Sequence, residues 1–399
     1  MLPMAYRGGT LRSAKDIAKI IHLTAKRRGD SVEVVFSCVA GHYDHNRDFE
    51  DLADAGISVR DTRWETVPRS KLDEGAAINN YWLKSDLLDS EYMQPLDGAR
   101  QFSDCDFWLV VSDRLPRPIV PAAQYGVLTF DYIQRYVPEI FGDLAWDVQK
   151  NGYIPLVRKA DFVLCTTDST AADINAYAGV PRRKILQLPM FFECTSLAPA
   201  PRFMKDDYIV WVTNSTEHKN HHRVLHAVLR YYQSLGGTLK LLIVGPGTEV
   251  FVRPPADGAE YPYWVKCRDV ICHHQELRAN VSVEGEITEA RYLSAVKNAR
   301  FMLHPNLYDN GTFAVIDAAL AGTPSLSARY PAMEFMNDTF RLNLTFFDPQ
   351  NEKEMAQAMR DMEQKSRTIE LPDRAFLETF SWRRNMDRVY DLIMARLNV

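Results

Sequence analysis

The sequence predicts an α/β protein made of two doubly wound domains that face each other across a cleft. Three observations predict it. Short apolar runs alternate with helix-forming stretches over the first half of the chain, the pattern of a parallel sheet covered on both faces. The alternation fails after Pro189, at the stiff Pro-rich run Leu197-Ala198-Pro199-Ala200-Pro201, and restarts at Tyr208. With 399 residues, 46% hydrophobic and 25% charged, the chain is long enough for two domains of ordinary size. The expected division is 1–200, 201–380, and a final helix over 381–399 that packs back on the first domain.

In order, residues 1–5 are an apolar run too short for a full strand, and Tyr6-Arg7-Gly8-Gly9-Thr10 is a turn leading to a helix over 11–28. Met1 lies inside that run, so a trimmed start and a module of a longer chain both stay open. Residues 32–39 read as a buried strand, 47–55 as a helix stopped by Gly56, and 57–59 as a short strand. Residues 68–100 look polar and helical. Strands follow at 107–111, 126–130 and 161–166, the last leading through the caps Thr167-Asp168-Ser169-Thr170 into a helix to Ala178. In the second half, strands are expected at 208–212, 239–244, 281–283 and 301–303, with helices at 220–235 and 289–298; residues 248–280 give no clear pattern. Residues 382–397 form an amphipathic helix with Trp382, Met386, Val389, Tyr390, Ile393, Met394 and Leu397 on one face.

The stretch His304–Pro324 is a strand end, the turn dipeptide Asn310-Gly311, and a helix over 314–321 stopped by Gly322 with Pro324 beyond. A helix that opens at such a turn presents unpaired amides and a positive dipole end, both favourable to phosphate. Asp309 precedes the opening and Asp317 stands two turns on, so both can edge one cleft; the alternative is a turn residue and a solvated helix acid.

Composition sets limits. A formal net charge of -5 argues against a general nucleic-acid binder. The six cysteines are scattered, several in apolar runs, as suits reduced core thiols in a cytosol. No apolar run approaches the roughly 18 residues of a membrane span, and no signal peptide is read. Asn-x-Ser/Thr triplets such as Asn310-Gly311-Thr312 are read as chance. His218, His222 and His226 stand at helical i, i+4, i+8 spacing that could line up metal ligands, but no acidic partner joins them and Lys219 lies alongside; Cys267, Cys272, His273 and His274 fit no common zinc spacing; both sets are set aside. Residues 1–28 carry Arg7, Arg12, Lys15, Lys19, Lys26, Arg27 and Arg28 against Asp16, which is either a solvated helix face or a peripheral contact with an anionic bilayer.

These pieces in this order resemble retaining, nucleotide-sugar-dependent glycosyltransferases of family 4, whose fold, GT-B, pairs two Rossmann-like domains across a cleft. That family places Glu, seven residues and a second Glu before a helix ending Ala-x-x-x-Gly-x-Pro; here Asp309, seven residues, Asp317 and the run Ala318–Pro324 match with both acids shortened. By that resemblance Asp309 faces the donor sugar, Asp317 holds the ribose hydroxyls, and the amides around Asn310, Gly311, Thr312 and Phe313 hold the diphosphate. The family's basic-Lys-Asn marker reads His218-Lys219-Asn220, which implies that Lys219 pairs with the diphosphate and places histidine where arginine is usual. Phe130-Asp131 stands where the family has His-Asp, so Asp131 carries over without its histidine. Gly8 and Gly9 match the first loop, between donor phosphate and acceptor.

The resemblance therefore implies a retaining hexosyltransferase acting from a nucleoside-diphosphate sugar onto a saccharide or lipid-linked saccharide, in cell-surface polysaccharide assembly. Its expected catalytic residues are Asp309, Lys219 and Asp131, with Gly8, Gly9, His218, Asn310, Gly311, Thr312, Phe313 and Asp317 on the donor. No cofactor, metal or nucleic acid is expected, and the expected location is cytoplasmic, with or without a peripheral membrane contact. The rivals are a nucleotide-sugar epimerase on the same fold and a non-catalytic sugar-nucleotide-binding subunit.

Overall fold

The computed structural model describes residues 1–71, 90–97, 100–120, 124–142, 149–188, 190–193, 206–255 and 258–397. The Pro-rich run at 197–201 and most of the polar stretch 68–100 lie outside them. The chain forms two compact units. Unit 1 comprises Met1–Gln134, Phe141–Phe192 and Phe380–Val399; unit 2 comprises Arg135–Ile140 and Glu193–Thr379.

Unit 1 holds β1 (Val35–Val39) paired in parallel with β2 (Ser58–Thr62), an antiparallel pair β3 (Trp64–Pro68) and β4 (Glu91–Pro95), and a parallel set β5 (Phe107–Val111), β6 (Gln124–Leu128), β7 (Phe162–Cys165) and β8 (Ile185–Gln187) in that spatial order. The short apolar run at the start is not itself a strand, yet it joins two of these sheets. Leu2 N–H donates to the Ser37 carbonyl at 2.8 Å, and Val111 N–H donates to the Met1 carbonyl at 2.9 Å. The run thus lies between β1 and β5, in the central place of a doubly wound order.

The first helix, Gly8–Arg28, starts three residues earlier than the turn chemistry suggests, because Gly8 and Gly9 open the helix instead of forming a separate turn. It buries Ala14, Ile17, Ala18 and Ile20 and ends at Gly29 in the left-handed region. The expected helix at 47–55 is two pieces, His45–Asp48 and Glu50–Ala55, broken at Phe49, whose ring is buried. Glu91–Pro95 is a strand, against the helical reading of that stretch: its burial alternates only weakly and its partner β3 is largely exposed, so neither shows an apolar period. The last helix, Trp382–Met394, buries Trp382, Met386, Val389 and Ile393 in the core that contains Ile17 and Ile20.

Unit 2 is one six-stranded parallel sheet: β9 (Tyr208–Val212), β10 (Lys240–Val244), β11 (Val281–Gly285), β12 (Phe301–His304), β13 (Ser325–Ala328) and β14 (Thr345–Phe347). The spatial order is β11-β10-β9-β12-β13-β14, so successive strands leave β9 in one direction and, from β12 on, in the other. The switch point falls between β9 and β12, where such sheets take ligands at their carboxyl ends. The stretch without a clear sequence pattern, 248–280, contains the helices Pro262–His273 and Gln275–Asn280. None of the helices among the described residues is long and apolar enough to cross a membrane.

Candidate functional site

Two loops leave the sheet of unit 2 at that switch point. After β9 the chain makes a single turn, Glu217–Lys219, and passes through Asn220 in the left-handed region (φ 70°) into the helix His221–Gln233. After β12 it runs through Pro305–Thr312 into the helix Phe313–Leu320. The loops are sewn together. Leu307 N–H donates to the His218 carbonyl at 2.9 Å. The buried Asn220 side chain donates to the carbonyls of Pro305 at 3.2 Å and Pro349 at 2.8 Å. Asparagine suits both tasks, since it tolerates the left-handed backbone and its amide satisfies carbonyls that burial would otherwise strand.

This stitching brings Lys219 Nζ onto the Asp309 carboxylate, where the two form an ion pair with 15% and 18% of their side chains exposed. Asn306 Nδ2 donates to Asp309 Oδ2 at 2.8 Å, and the Asn310 amide donates to Oδ1 at 2.9 Å. Burial alone would raise the Asp309 carboxyl, but the charges of Lys219 and His218 and the Lys219 hydrogen bond outweigh it and hold the group down at about 2. Burial pushes His304, at the end of β12, down to about 3, so its ring is neutral and hydrogen-bonded to the Tyr330 hydroxyl at 2.8 Å. Beside Asp309, Tyr308 stacks on Tyr136 with ring centroids 3.9 Å apart.

Gly311 has φ 88°, and a β-carbon there would collide with Met336 Sδ. Thr312 caps the helix: its hydroxyl accepts from the Ala314 amide at 3.2 Å, while its own amide points at Met336 Sδ at 3.2 Å. A phosphate at this helix start would therefore have to replace the contact with sulfur. Phe313 opens the helix, and Asp317, 3% exposed, accepts from the Tyr292 hydroxyl at 2.8 Å. Lys219, His218, Asp309 and Asn310 are thus assembled in one place, with Gly311, Thr312 and Phe313 next to them in the chain and Asp317 further along the same helix.

Gly8, Gly9 and Asp131 belong to unit 1. The two glycines are exposed at the start of the Gly8–Arg28 helix. Asp131 follows β6, and its Oδ1 accepts from Arg114 Nη2 at 2.5 Å and from the Ile133 amide at 3.1 Å. Arg114 also lies 3.7 Å from Asp113 Oδ1 and over the Tyr153 ring. Sequence reasoning passed over Asp113. It is 1% exposed at the carboxyl end of β5, and neither carboxylate oxygen has a hydrogen-bond partner among the described residues; the Thr129 and Tyr132 hydroxyls are likewise unpaired. Burial, opposed by Arg114, raises the Asp113 carboxyl to about 6. Nothing in the sequence around Asp113 marks it, because its burial depends on β6 and on residues 129–132. Asn220 was visible as part of a motif, but its role as the tie between loops was not.

The basic residues of the first helix are largely neutralised within unit 1. Arg7 pairs with Asp48 at 2.8 Å, Lys15 and Lys19 with Asp51 at 2.6 and 3.0 Å, and Arg27 and Arg28 with Asp387 at 2.6 and 2.7 Å. Of the histidine row, His222 and His226 pack ring to ring at 4.7 Å; neither that row nor the Cys267–His274 set gathers three donor atoms at one point among the described residues.

Comparison with known proteins agrees with this architecture. Residues 196–375 match the family model of glycosyl transferases group 1. No curated protein matches the chain. Among solved structures, Anabaena HepE in complex with UDP-glucose aligns with a TM-score of 0.68 at 14% identity, covering 99% of this chain and 98% of that one. A glycosyltransferase from Rickettsia africae aligns at 0.60 and 11% identity over 100% and 97% of the two chains. WaaG, a glycosyltransferase involved in lipopolysaccharide biosynthesis, aligns at 0.59 and 15% over 98% and 96%. At such identities the likeness speaks for the fold, and the family match speaks for the second half. The chain has the GT-B fold of these glycosyltransferases, and its residues 196–375 match the family model of glycosyl transferases group 1.

Proposed function

We propose that the protein is a retaining hexosyltransferase of family 4 type, which moves a sugar from a nucleoside diphosphate to a saccharide or lipid-linked saccharide acceptor in cell-surface polysaccharide assembly. The observation that carries this reading is the Lys219–Asp309 pair at the β9/β12 switch point, inside the segment that matches group 1. An ammonium has three N–H donors, so Lys219 can keep Asp309 while it binds a diphosphate oxygen and stabilises charge on the leaving group. Asp309 then stands beside the donor sugar, Asp317 takes the ribose, and the Phe313–Leu320 helix turns its positive end toward phosphate.

Retention fits the state of Asp131. Its carboxylate is already held by Arg114 and the Ile133 amide, so the leaving diphosphate oxygen, not a protein base, takes the acceptor proton. With Lys219 and the helix dipole opposite the diphosphate, no metal is needed there. The paired basic residues of the first helix are better read as partners of Asp48, Asp51 and Asp387 than as a bilayer-facing surface.

UDP-glucose heads the donor panel because HepE was solved with it. The test is a panel of UDP-, GDP- and dTDP-sugars screened by thermal shift, since a bound donor stabilises by mass action, followed by transfer to saccharide acceptors and proton NMR of the product. The product keeps the donor's anomeric configuration. An inverted anomer makes Asp131 a base and overturns the mechanism; product from donor alone indicates an epimerase, and donor binding without turnover a non-catalytic subunit. Transfer persists after exhaustive chelation, assayed below the unfolding temperature; loss restored by manganese or zinc overturns the metal-free reading.

A further inference from the structure

Cys38, His45 and Asp61 lie on three elements of unit 1: β1, the start of the His45–Asp48 helix, and β2, where Asp61 is the registered neighbour of Cys38. Their donor atoms converge. Cys38 Sγ is 3.5 Å from Asp61 Oδ1 and 3.9 Å from His45 Nε2, and that same Nε2 is 2.9 Å from Asp61 Oδ1. We propose that these three side chains bind one tetrahedral transition-metal ion of the zinc class, with solvent as the fourth ligand.

The geometry separates this reading from two others. A nucleophilic relay needs the imidazole between thiol and carboxylate, with one ring nitrogen facing each. Here a single nitrogen faces both, so no proton can pass from sulfur through the ring to the carboxylate. A simple ion pair accounts for His45 and Asp61 alone, and leaves the core thiol Cys38 with only a long hydrogen bond to Asp61 Oδ1 at 3.5 Å. A metal accounts for all three. With bonds of about 2.3 Å to sulfur and about 2.1 Å to nitrogen or oxygen, tetrahedral angles put donor pairs about 3.5 Å apart, and the three separations here bracket that value.

The supporting contacts fit as well. The His45 ring packs edge-on against Phe49 at 5.5 Å, and the Asp44 carboxylate accepts from the Asn46 amide at 3.1 Å, which together fix the helix start that carries His45. His45 and Asp61 are 42% and 49% exposed, which gives the ion an entry path and room for a water, while Cys38 lies beneath them. Thiolate, imidazole and carboxylate together suit Zn²⁺ or Co²⁺ rather than Mg²⁺ or Ca²⁺. All three residues lie in unit 1, outside the segment that matches group 1, and the ion would clamp β1, β2 and the His45–Asp48 helix between them.

The test is titration of the full-length, reduced protein with Co²⁺, followed by its visible tetrahedral bands and its thiolate-to-metal charge-transfer band. Wild type takes one equivalent and shows both; Cys38→Ser loses the charge-transfer band, and Cys272→Ser, at an exposed thiol, keeps it. His45→Ala and Asp61→Asn, both at exposed positions that leave the fold intact, each weaken binding by roughly 10-fold or more. Zn²⁺ raises the melting temperature of wild type more than that of either variant at the same concentration. Absence of a tetrahedral spectrum, or equal Co²⁺ affinity in His45→Ala and Asp61→Asn, overturns the proposal.

Discussion

Lys219 and Asp309 are ninety positions apart in sequence and share a hydrogen bond in the fold, so each sets the other's chemistry. Removing the lysine leaves a half-buried carboxylate without its ion-pair partner and, in the proposed mechanism, takes positive charge away from the leaving group. Lys219→Ala is expected to lose roughly 10²-fold or more in kcat, the scale of other electrostatic transition-state contacts, measured at saturating donor with the fold checked by circular dichroism. Asp309 gives a pH signature. Its folded pKa, about 2, lies below the ordinary value of 3.8, so it contributes stability above the unfolded pKa and loses it as pH falls through the folded one. The contribution amounts to about 2 kcal/mol at neutral pH. Urea unfolding of wild type against Asp309→Asn is therefore expected to show a gap that is full above pH 4 and closes toward pH 2. A gap that stays constant across that window would mean that Lys219 does not hold the carboxylate.

Elements were legible where burial made them so. The strands at 208–212 and 301–303 read as unbroken apolar runs because a parallel strand covered on both faces has no polar side to alternate with. The helix over 289–298 was legible too, and in the fold it opens at a cap, Thr288, whose hydroxyl accepts from the Arg291 amide at 3.3 Å. The β3/β4 pair and the helices within 248–280 were not legible, since their faces are half polar and only neighbouring elements tell which side is buried. The loop at Gly311 was visible as a turn, but its constraint is tertiary. Gly311→Ala must hold a left-handed backbone and push Met336 aside, and is expected to cost about 1–2 kcal/mol of stability and to weaken donor binding. Chemical denaturation and donor titration check it, and Met336→Ala added to the variant should return only the part of the loss that comes from collision.

Across the whole molecule, the chain's last segment completes the unit in which the chain began. Trp382 is 2% exposed and shares a core with Ile17, Ile20 and Phe36. Trp382→Ala is expected to destabilise unit 1 by about 3–5 kcal/mol, the cost of emptying a buried aromatic site. Hydrogen exchange should show the loss in Gly8–Arg28 and β1 while the β9–β14 sheet keeps its protection. By itself the sequence determined the α/β class, most of the parallel strands, the amphipathic last helix and the residues that line the β9/β12 switch point. Those signals are local, carried by apolar period, caps and motif spacing within about twenty residues. The tertiary structure alone decided that Lys219 meets Asp309, that Asn220 ties their loops, that the Asp113 carboxylate is buried without a hydrogen bond among the described residues, and that Cys38, His45 and Asp61 converge. Each of those depends on which strands lie side by side, and strand order is fixed by packing across the sheet, which no local pattern records.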